Sequence, residues 1–257
     1  MNYNHADNLK YYPISLNIAD KRCLVVGGGS VGARKAVTLA RCGAAVTVVS
    51  LFFSDEFIKK TDSYCEIKAH SEKEHSDSNN KEKIICIQKP YDSTDLNSMF
   101  LVIGATDNVD VNRQIADDAR QKTILCNIAD YPEGSSFVLP SIVQRGELVI
   151  TVSTSGNSPA LAKKLRKELK LQFGQEYATF LVLMGKIRKW LLAQNHSPQT
   201  HAAIFRQLVN SELLEHIASN DYSKIEITLN EILGSHRELM LMDNCTLPSY
   251  QDFIFGE

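Results

Sequence analysis

Over the first half of the chain, short β-branched apolar runs alternate with stretches of helical period, the pattern of a parallel sheet covered by helices. The runs at 23–26, 45–49, 84–88, 100–105 and 124–127 predict strands. Apolar positions at 31–42, ending at Gly43, and at 109–121 predict helices between them. Residues 69–83, AHSEKEHSDSNNKEK, are polar and without apolar period, which predicts an exposed insertion.

Beyond residue 130 the pattern changes. SFVLPSIVQRGELVITVS holds two apolar runs around Arg145 and Gly146 and predicts a strand pair outside the first sheet. Ser158 and Pro159 are placed as N-cap and first residue of a helix through ALAKKLRKELKLQF. From there the chain reads as helix: 176–194, 198–209 opened by Ser197, 211–218, and 223–233 closed by Gly234. The last twenty or so residues show no pattern. The expected organisation is an α/β fold: a Rossmann-type parallel sheet at 1–130, a small α+β dimerisation segment at 131–165, and a helical C-terminal domain at 166–257.

Composition narrows the class. The 257 residues are 44% hydrophobic and 23% charged, as in a soluble globular protein. No apolar run is long enough to span a membrane, and the first residues lack the apolar core of a secretory signal, so a cytoplasmic protein is expected. The formal charge of −2 gives no reason to expect nucleic acid or an anionic membrane as partner, so any anion must be met locally. Six cysteines, Cys23, Cys42, Cys65, Cys86, Cys126 and Cys245, form no CxxC pair and read as buried or incidental thiols in a reducing compartment. The seven histidines include no cluster of ligand spacing, so no protein metal site is expected.

The candidate chemistry begins at the first strand, which runs into Gly27-Gly28-Gly29-Ser30-Val31-Gly32 and then a helix. In a GxGxxG loop the first glycine makes a tight turn, the second lets the backbone approach a pyrophosphate, and the third lets helix and strand pack closely. Phosphates would meet the unpaired N–H groups of Ser30 and Val31 at a helix N-terminus. The plainer reading, a glycine-rich turn in a nucleotide-free protein, is weakened by the complete strand–loop–helix–strand context.

The acidic residue that usually binds the ribose hydroxyls is missing. Ser50, Leu51, Phe52 and Phe53 stand there instead. A serine can bond a ribose hydroxyl, and no Lys or Arg at 50–53 would neutralise the extra phosphate of NADP, so NAD is favoured. Thr106 and Asp107 follow the fourth run at the carboxyl edge, where they either line the cofactor groove or, for Asp107, cap the next helix. Asp130 ends CNIAD at the same edge; it is either a proton-handling group or a turn former before Tyr131-Pro132.

Taken together, YYPISLNIADKRCLVVGGGSVGARKAVTLARCGAAVTVVS, ATDNVDVNRQI and CNIADYPEGSSFVLPSIVQRGELVITVSTSGNSPALAKKLRKEL resemble the precorrin-2 dehydrogenase/sirohydrochlorin ferrochelatase family, the N-terminal module of siroheme synthase in stand-alone form. The resemblance runs over about residues 12–170. It implies NAD-dependent oxidation of precorrin-2 to sirohydrochlorin, with Fe2+ insertion as a second activity in several relatives, and a homodimer whose central segment interlocks. Its motif CNxxD implies that Asp130 is the catalytic aspartate.

The resemblance also implies a tetrapyrrole substrate with eight carboxylates. Arg113, Arg145 and Lys163, with Lys164, Arg166 and Lys167, are candidates for meeting them, although KKLRKELK also reads as the solvated face of a helix. Ser153, Thr154 and Asn157 precede a helix N-terminus and could hold an acetate or propionate arm; the family commonly has serine where Thr154 stands. The rival from another class is a regulatory module that senses NAD without turnover. Such a module needs neither an Asp130-type base nor the SSFVLPS segment.

Overall fold

The computed structural model describes residues 10–68, 84–193 and 197–234. The predicted insertion at 69–83, the end of the predicted helix 176–194 and the tail after Gly234 lie outside or run beyond these residues. The chain separates into two compact units, Met1–Leu139 and Pro140–Glu257.

The first unit is built on a six-stranded parallel sheet of β1 (Arg22–Val26), β2 (Ala45–Ser50), β3 (Cys65–Lys68), β4 (Ile84–Gln88), β5 (Leu101–Gly104) and β6 (Leu125–Ile128), in the order β3-β4-β2-β1-β5-β6. The strands are apolar on both sides because both faces of the sheet are covered. Cys23, Val25, Val46 and Val48 pack on α1 (Ser30–Arg41) and α2 (Asp55–Thr61) through Ala33, Ala36, Leu39 and Phe57. The alternate residues Leu24, Val26, Val102 and Ile128 meet Ile115, Ala116 and Ala119 of α3 (Val109–Gln121) on the other face. α1 ends as predicted, with Cys42 as C-cap and Gly43 at φ +79°, the left-handed residue that closes a helix.

Two elements were not read from the sequence. α2 is a short helix capped by Ser54, whose hydroxyl accepts from the Phe57 N–H. β3 is a four-residue strand that, among the described residues, pairs with β4 alone. The pairing joins Cys65 to Cys86 in a disulfide, which corrects the reading of all the cysteines as incidental thiols; Cys23, Cys42 and Cys126 are free.

The second unit carries the predicted strand pair as an antiparallel ribbon, β7 (Ser141–Arg145) and β8 (Leu148–Val152), followed by α4 (Pro159–Gln172). Ser158 caps α4 and Pro159 is its first residue, as the sequence indicated. Val143 is buried on the ribbon face that includes Ser141 and Arg145. Four further helices, α5 (Glu176–Leu192), α6 (Pro198–Asn210), α7 (Leu213–Ala218) and α8 (Tyr222–Gly234), enclose a core of Leu183, Ile187, Ile204, Leu208, Ile217 and Leu229. Gly234 stands at the end of α8 and of the described residues.

The division at residue 139 differs from the boundary expected after residue 130. The reason is local: residues 135–137 are bonded to β6. Ser136 N–H donates to the Cys126 carbonyl, and the Asn127 amide donates to the Phe137 carbonyl.

Candidate active site

Strand order reverses around β1, whose neighbours are β2 and β5, and a doubly wound sheet opens a crevice at the carboxyl ends of the strands at such a point. The glycine loop leaves β1 here. Gly27 has φ +127°, and a Cβ on it would strike the carbonyl of Ala105 at the end of β5. A Cβ on Gly32 would strike the Gly27 carbonyl, so this glycine lets α1 start hard against the loop. Over Gly29, by contrast, there is open space.

Gly29 is also the N-cap of α1. It carries no side chain to satisfy the first N–H groups, and the first turn has no acidic residue. The N–H groups of Ser30, Val31 and Gly32 precede the first intrahelical bond, from Ala33 to the Gly29 carbonyl. Unpaired donors, the positive end of the helix dipole and room above Gly29 together make a cradle for a pyrophosphate.

The β2–α2 turn lies beside this cradle. Ser54 N–H donates to the Gly28 carbonyl, and a Cβ on Gly28 would collide with the Phe52 carbonyl. The Ser50 hydroxyl donates to the Phe52 carbonyl at 2.7 Å, which holds the turn and leaves oxygen lone pairs for a ribose hydroxyl. From β4, the Gln88 amide donates to the Leu51 carbonyl and the Lys89 N–H to the Ser50 carbonyl. The Lys89 ammonium is paired with Asp95. Leu51 and Phe52 are 64% and 63% exposed at the carboxyl edge, the kind of apolar surface that a flat heteroaromatic ring covers.

Across the crevice, β5 leads into Thr106 and Asp107. Asn112, a buried polar residue on α3, clamps Thr106: its Nδ2 donates to the Thr106 carbonyl, and its Oδ1 lies 2.8 Å from the Thr106 hydroxyl. The cap of α3 is Asn108, whose Oδ1 accepts from the Asp110 and Val111 N–H groups. The alternative role for Asp107 as helix cap is thereby corrected, and its exposed carboxylate is left at the crevice. Asn112 went unnoticed in the sequence, where its only signal is an amide on the buried face of an amphipathic helix.

Asp130 is exposed just past β6 and has φ +61°, a left-handed conformation that Asp adopts more readily than most residues. The turn around it is braced by Ser135. That hydroxyl accepts from the Ile128 N–H at 2.9 Å and lies 3.0 Å from the Tyr131 carbonyl, to which it can donate. Ser136 makes the matching contact one step back, accepting from the Cys126 N–H. Ser135 therefore fixes the turn in which Asp130 stands and Ser136 ties the same segment to β6, roles invisible in the sequence.

The candidate substrate residues divide between the units. Arg113 is exposed on α3, 3.8 Å from Asp110. In the second unit, Arg145 reaches the carboxyl end of α4: its Nε donates to the Phe173 carbonyl and its terminal nitrogens to the carbonyls of Gln144 and Lys170. These bonds engage the guanidinium within its own unit. In the loop before α4, Ser153 accepts from the Ser155 N–H, and the Thr154 hydroxyl accepts from the Ser158 N–H. Ser155 and Gly156 are both left-handed and set Asn157 before the cap. Lys163 is exposed on α4.

Among the described residues, no cluster of His, Cys, Asp and Glu could hold a metal ion, and no helix is long and apolar enough to cross a membrane.

A family model described as NAD(P)-binding matches residues 14–141, and one described as sirohaem biosynthesis protein central matches residues 145–171. Siroheme synthase 2 of Pectobacterium atrosepticum is 32% identical over 228 residues, 88% of this chain and 46% of that protein. The chain is a homologue of the siroheme synthases over most of its own length. Siroheme synthase of Shigella boydii serotype 18 is 30% identical over 242 residues, 91% of this chain and 48% of its own length. The chain thus spans about half the length of these relatives. Among solved structures, SirC, precorrin-2 dehydrogenase, superposes with a TM-score of 0.62 at 23% identity, covering 89% of this chain and all of that one. At that identity the likeness bears on the fold, and it agrees with the α/β unit, ribbon and helical unit found here.

Proposed function

We propose that this chain is an NAD-dependent dehydrogenase of siroheme biosynthesis that oxidises precorrin-2 to sirohydrochlorin, with Asp130 as the base. The observation that carries the reading is Asp130 itself: an exposed Asp with left-handed backbone at the carboxyl edge of the sheet, in a turn braced by Ser135, two strands from the strand that leads into the glycine loop. The oxidation removes a hydride and a proton from the substrate. NAD, when bound, accepts the hydride. The residues that fit it are Gly27, Gly29, Ser30, Val31 and Gly32 for the pyrophosphate, Ser50, Leu51 and Phe52 for the adenosine, and Thr106 and Asp107 across the crevice. The proton passes to an Asp130 carboxylate oxygen.

NAD is preferred to NADP because Lys89, whose backbone N–H bonds the Ser50 carbonyl, already has its charge matched by Asp95 and offers little to a further phosphate. Arg113, Arg145, Ser153, Thr154, Asn157 and Lys163 remain the candidates for the substrate's carboxylates. Of these, exposed Arg113 and Lys163 are better disposed than Arg145, which already serves three carbonyls.

A homodimer through the segment 131–165 is part of the proposal. A two-stranded ribbon is marginal alone. Here Ile142 and Val149, 43% and 54% exposed, stand on the uncovered face of β7 and β8, and Ala162 is the one residue of α4 that is buried. Fe2+ insertion into sirohydrochlorin is a second activity open to the same carboxylate, since two pyrrole protons must leave. The macrocycle nitrogens would be the principal ligands.

The test mixes the purified chain with NAD and precorrin-2 and follows the sirohydrochlorin spectrum, with NAD binding measured alongside. Turnover is expected. NAD binding without turnover would replace the enzyme reading with the NAD-sensing module. Adding Fe2+ or Co2+ to sirohydrochlorin, with and without the chain, separates one activity from two.

A further inference from the structure

We propose that Cys65 and Cys86 form a thiol–disulfide site that sets how firmly the dinucleotide loop is held. The inference rests on the cofactor reading above for its consequence and on the cysteine pair alone for its chemistry. Cys65 opens the edge strand β3 and Cys86 is the middle residue of β4. Cys65 pairs with Ile84 and Ile67 with Cys86, so the two cysteines lie one diagonal step apart on one face of the sheet. Their Cα atoms are 6.6 Å apart, within the span that a disulfide bridges.

The two sulfurs differ in access. Cys65 is partly exposed, whereas Cys86 is fully buried in the core that Cys65 borders. A low-molecular-weight disulfide of the glutathione class can therefore reach Cys65 first. The Cys65 thiolate attacks one sulfur of the reagent, forming a mixed disulfide and releasing one thiolate. Cys86, after losing its proton to solvent or base, then attacks the Cys65 sulfur and releases the second. The protein dithiol is oxidised, the reagent is reduced to two thiols, and reduction runs by the reverse exchange.

The consequence follows from what β4 carries. Two residues beyond Cys86, Gln88 holds the Leu51 carbonyl, and Lys89 next to it holds the Ser50 carbonyl. Among the described residues β3 has no neighbour on its outer side, so in the dithiol state the β3–β4 edge is held there by backbone pairing and packing alone. The bond adds a covalent clamp to the strand that braces the adenosine turn.

The experiment uses the full chain, prepared reduced and then treated with oxidised glutathione. The expected product is a linked peptide containing Cys65 and Cys86, with no glutathione retained on either of these two cysteines. Cys86→Ser should trap one glutathione on Cys65, whereas Cys65→Ser should take up little at Cys86. NAD affinity by calorimetry is expected to weaken about fivefold on reduction of the wild type and to be insensitive to reductant in both variants. Cys65→Ala and Cys86→Ala serve if either serine variant fails to fold. Failure of the linked peptide to form, or equal NAD affinity in the two redox states, overturns the proposal. If neither state binds NAD while the linked peptide forms, it is the cofactor reading that has failed, and with it the proposed consequence.

Discussion

Replacing Ser135 by alanine removes one oxygen from the turn that carries the proposed base. The hydroxyl accepts from the N–H of Ile128, a buried residue at the end of β6, and bridges to the Tyr131 carbonyl. Left without its acceptor, a buried N–H costs roughly 1–3 kcal/mol, and no other acceptor is bonded to it among the described residues. For a unit of this size a loss of about 2 kcal/mol lowers the melting temperature by roughly 7 °C. The catalytic effect is separate. Asp130 is held at φ +61° between the two residues that Ser135 joins, and a left-handed backbone costs an ordinary L-residue about 1–2 kcal/mol, so the unbraced turn relaxes toward negative φ. A carboxylate displaced by about 1 Å costs on the order of 100-fold in kcat. NAD affinity should not change, because the pyrophosphate cradle is on β1 and α1. Ser135→Thr, which keeps the hydroxyl, should recover most of kcat. The assay is precorrin-2 oxidation with NAD binding and thermal unfolding in parallel. An S135A protein with the stability loss but wild-type kcat would refute the positioning role, and one with neither loss would refute the hydrogen-bond account itself.

Two further predictions separate fold from cofactor site and test the thiols. Gly29→Ala meets open space and should leave the melting temperature within about 2 °C while weakening NAD binding at least tenfold, whereas Gly32→Ala, driven against the Gly27 carbonyl, should cost about 1–3 kcal/mol of stability; equal behaviour in calorimetry would contradict the cradle geometry. Burial raises the folded pKa of Cys23 and of Cys126 from 9.0 to about 11, so the stability each contributes is fully present below pH 9 and is lost as the pH rises through the window from 9 to about 11. Chemical unfolding across that window should show the decline, and among the described free cysteines alkylation near pH 8 should reach exposed Cys42 first.

Much of the first unit was legible because local and long-range signals agree there. The run CLVV, the glycines after it and the helical period of Ala33, Ala36 and Ala40 specify one strand–turn–helix, and the structure forms it. Asp130 was placed at the carboxyl edge from the end of an apolar run, which is where β6 ends. Other features depend on neighbours distant in sequence. β3 is four residues long and pairs on one side, so its own residues carry little periodicity. Its cysteine meets another 21 positions away, across the polar segment. Asn112 is an ordinary helix residue until α3 docks and turns its amide onto Thr106. Arg145 reads as a free cation until the end of α4 offers it the Lys170 and Phe173 carbonyls. Ser135 and Ser136 take their meaning from β6, whose N–H groups they accept.

The most direct test compares wild type with Asp130→Ala for both NAD binding and precorrin-2 oxidation. The account predicts that NAD binds both proteins with the same affinity, while NADH and sirohydrochlorin form together only with the wild type. An Asp130→Ala protein that still oxidises precorrin-2 at the wild-type rate would contradict it.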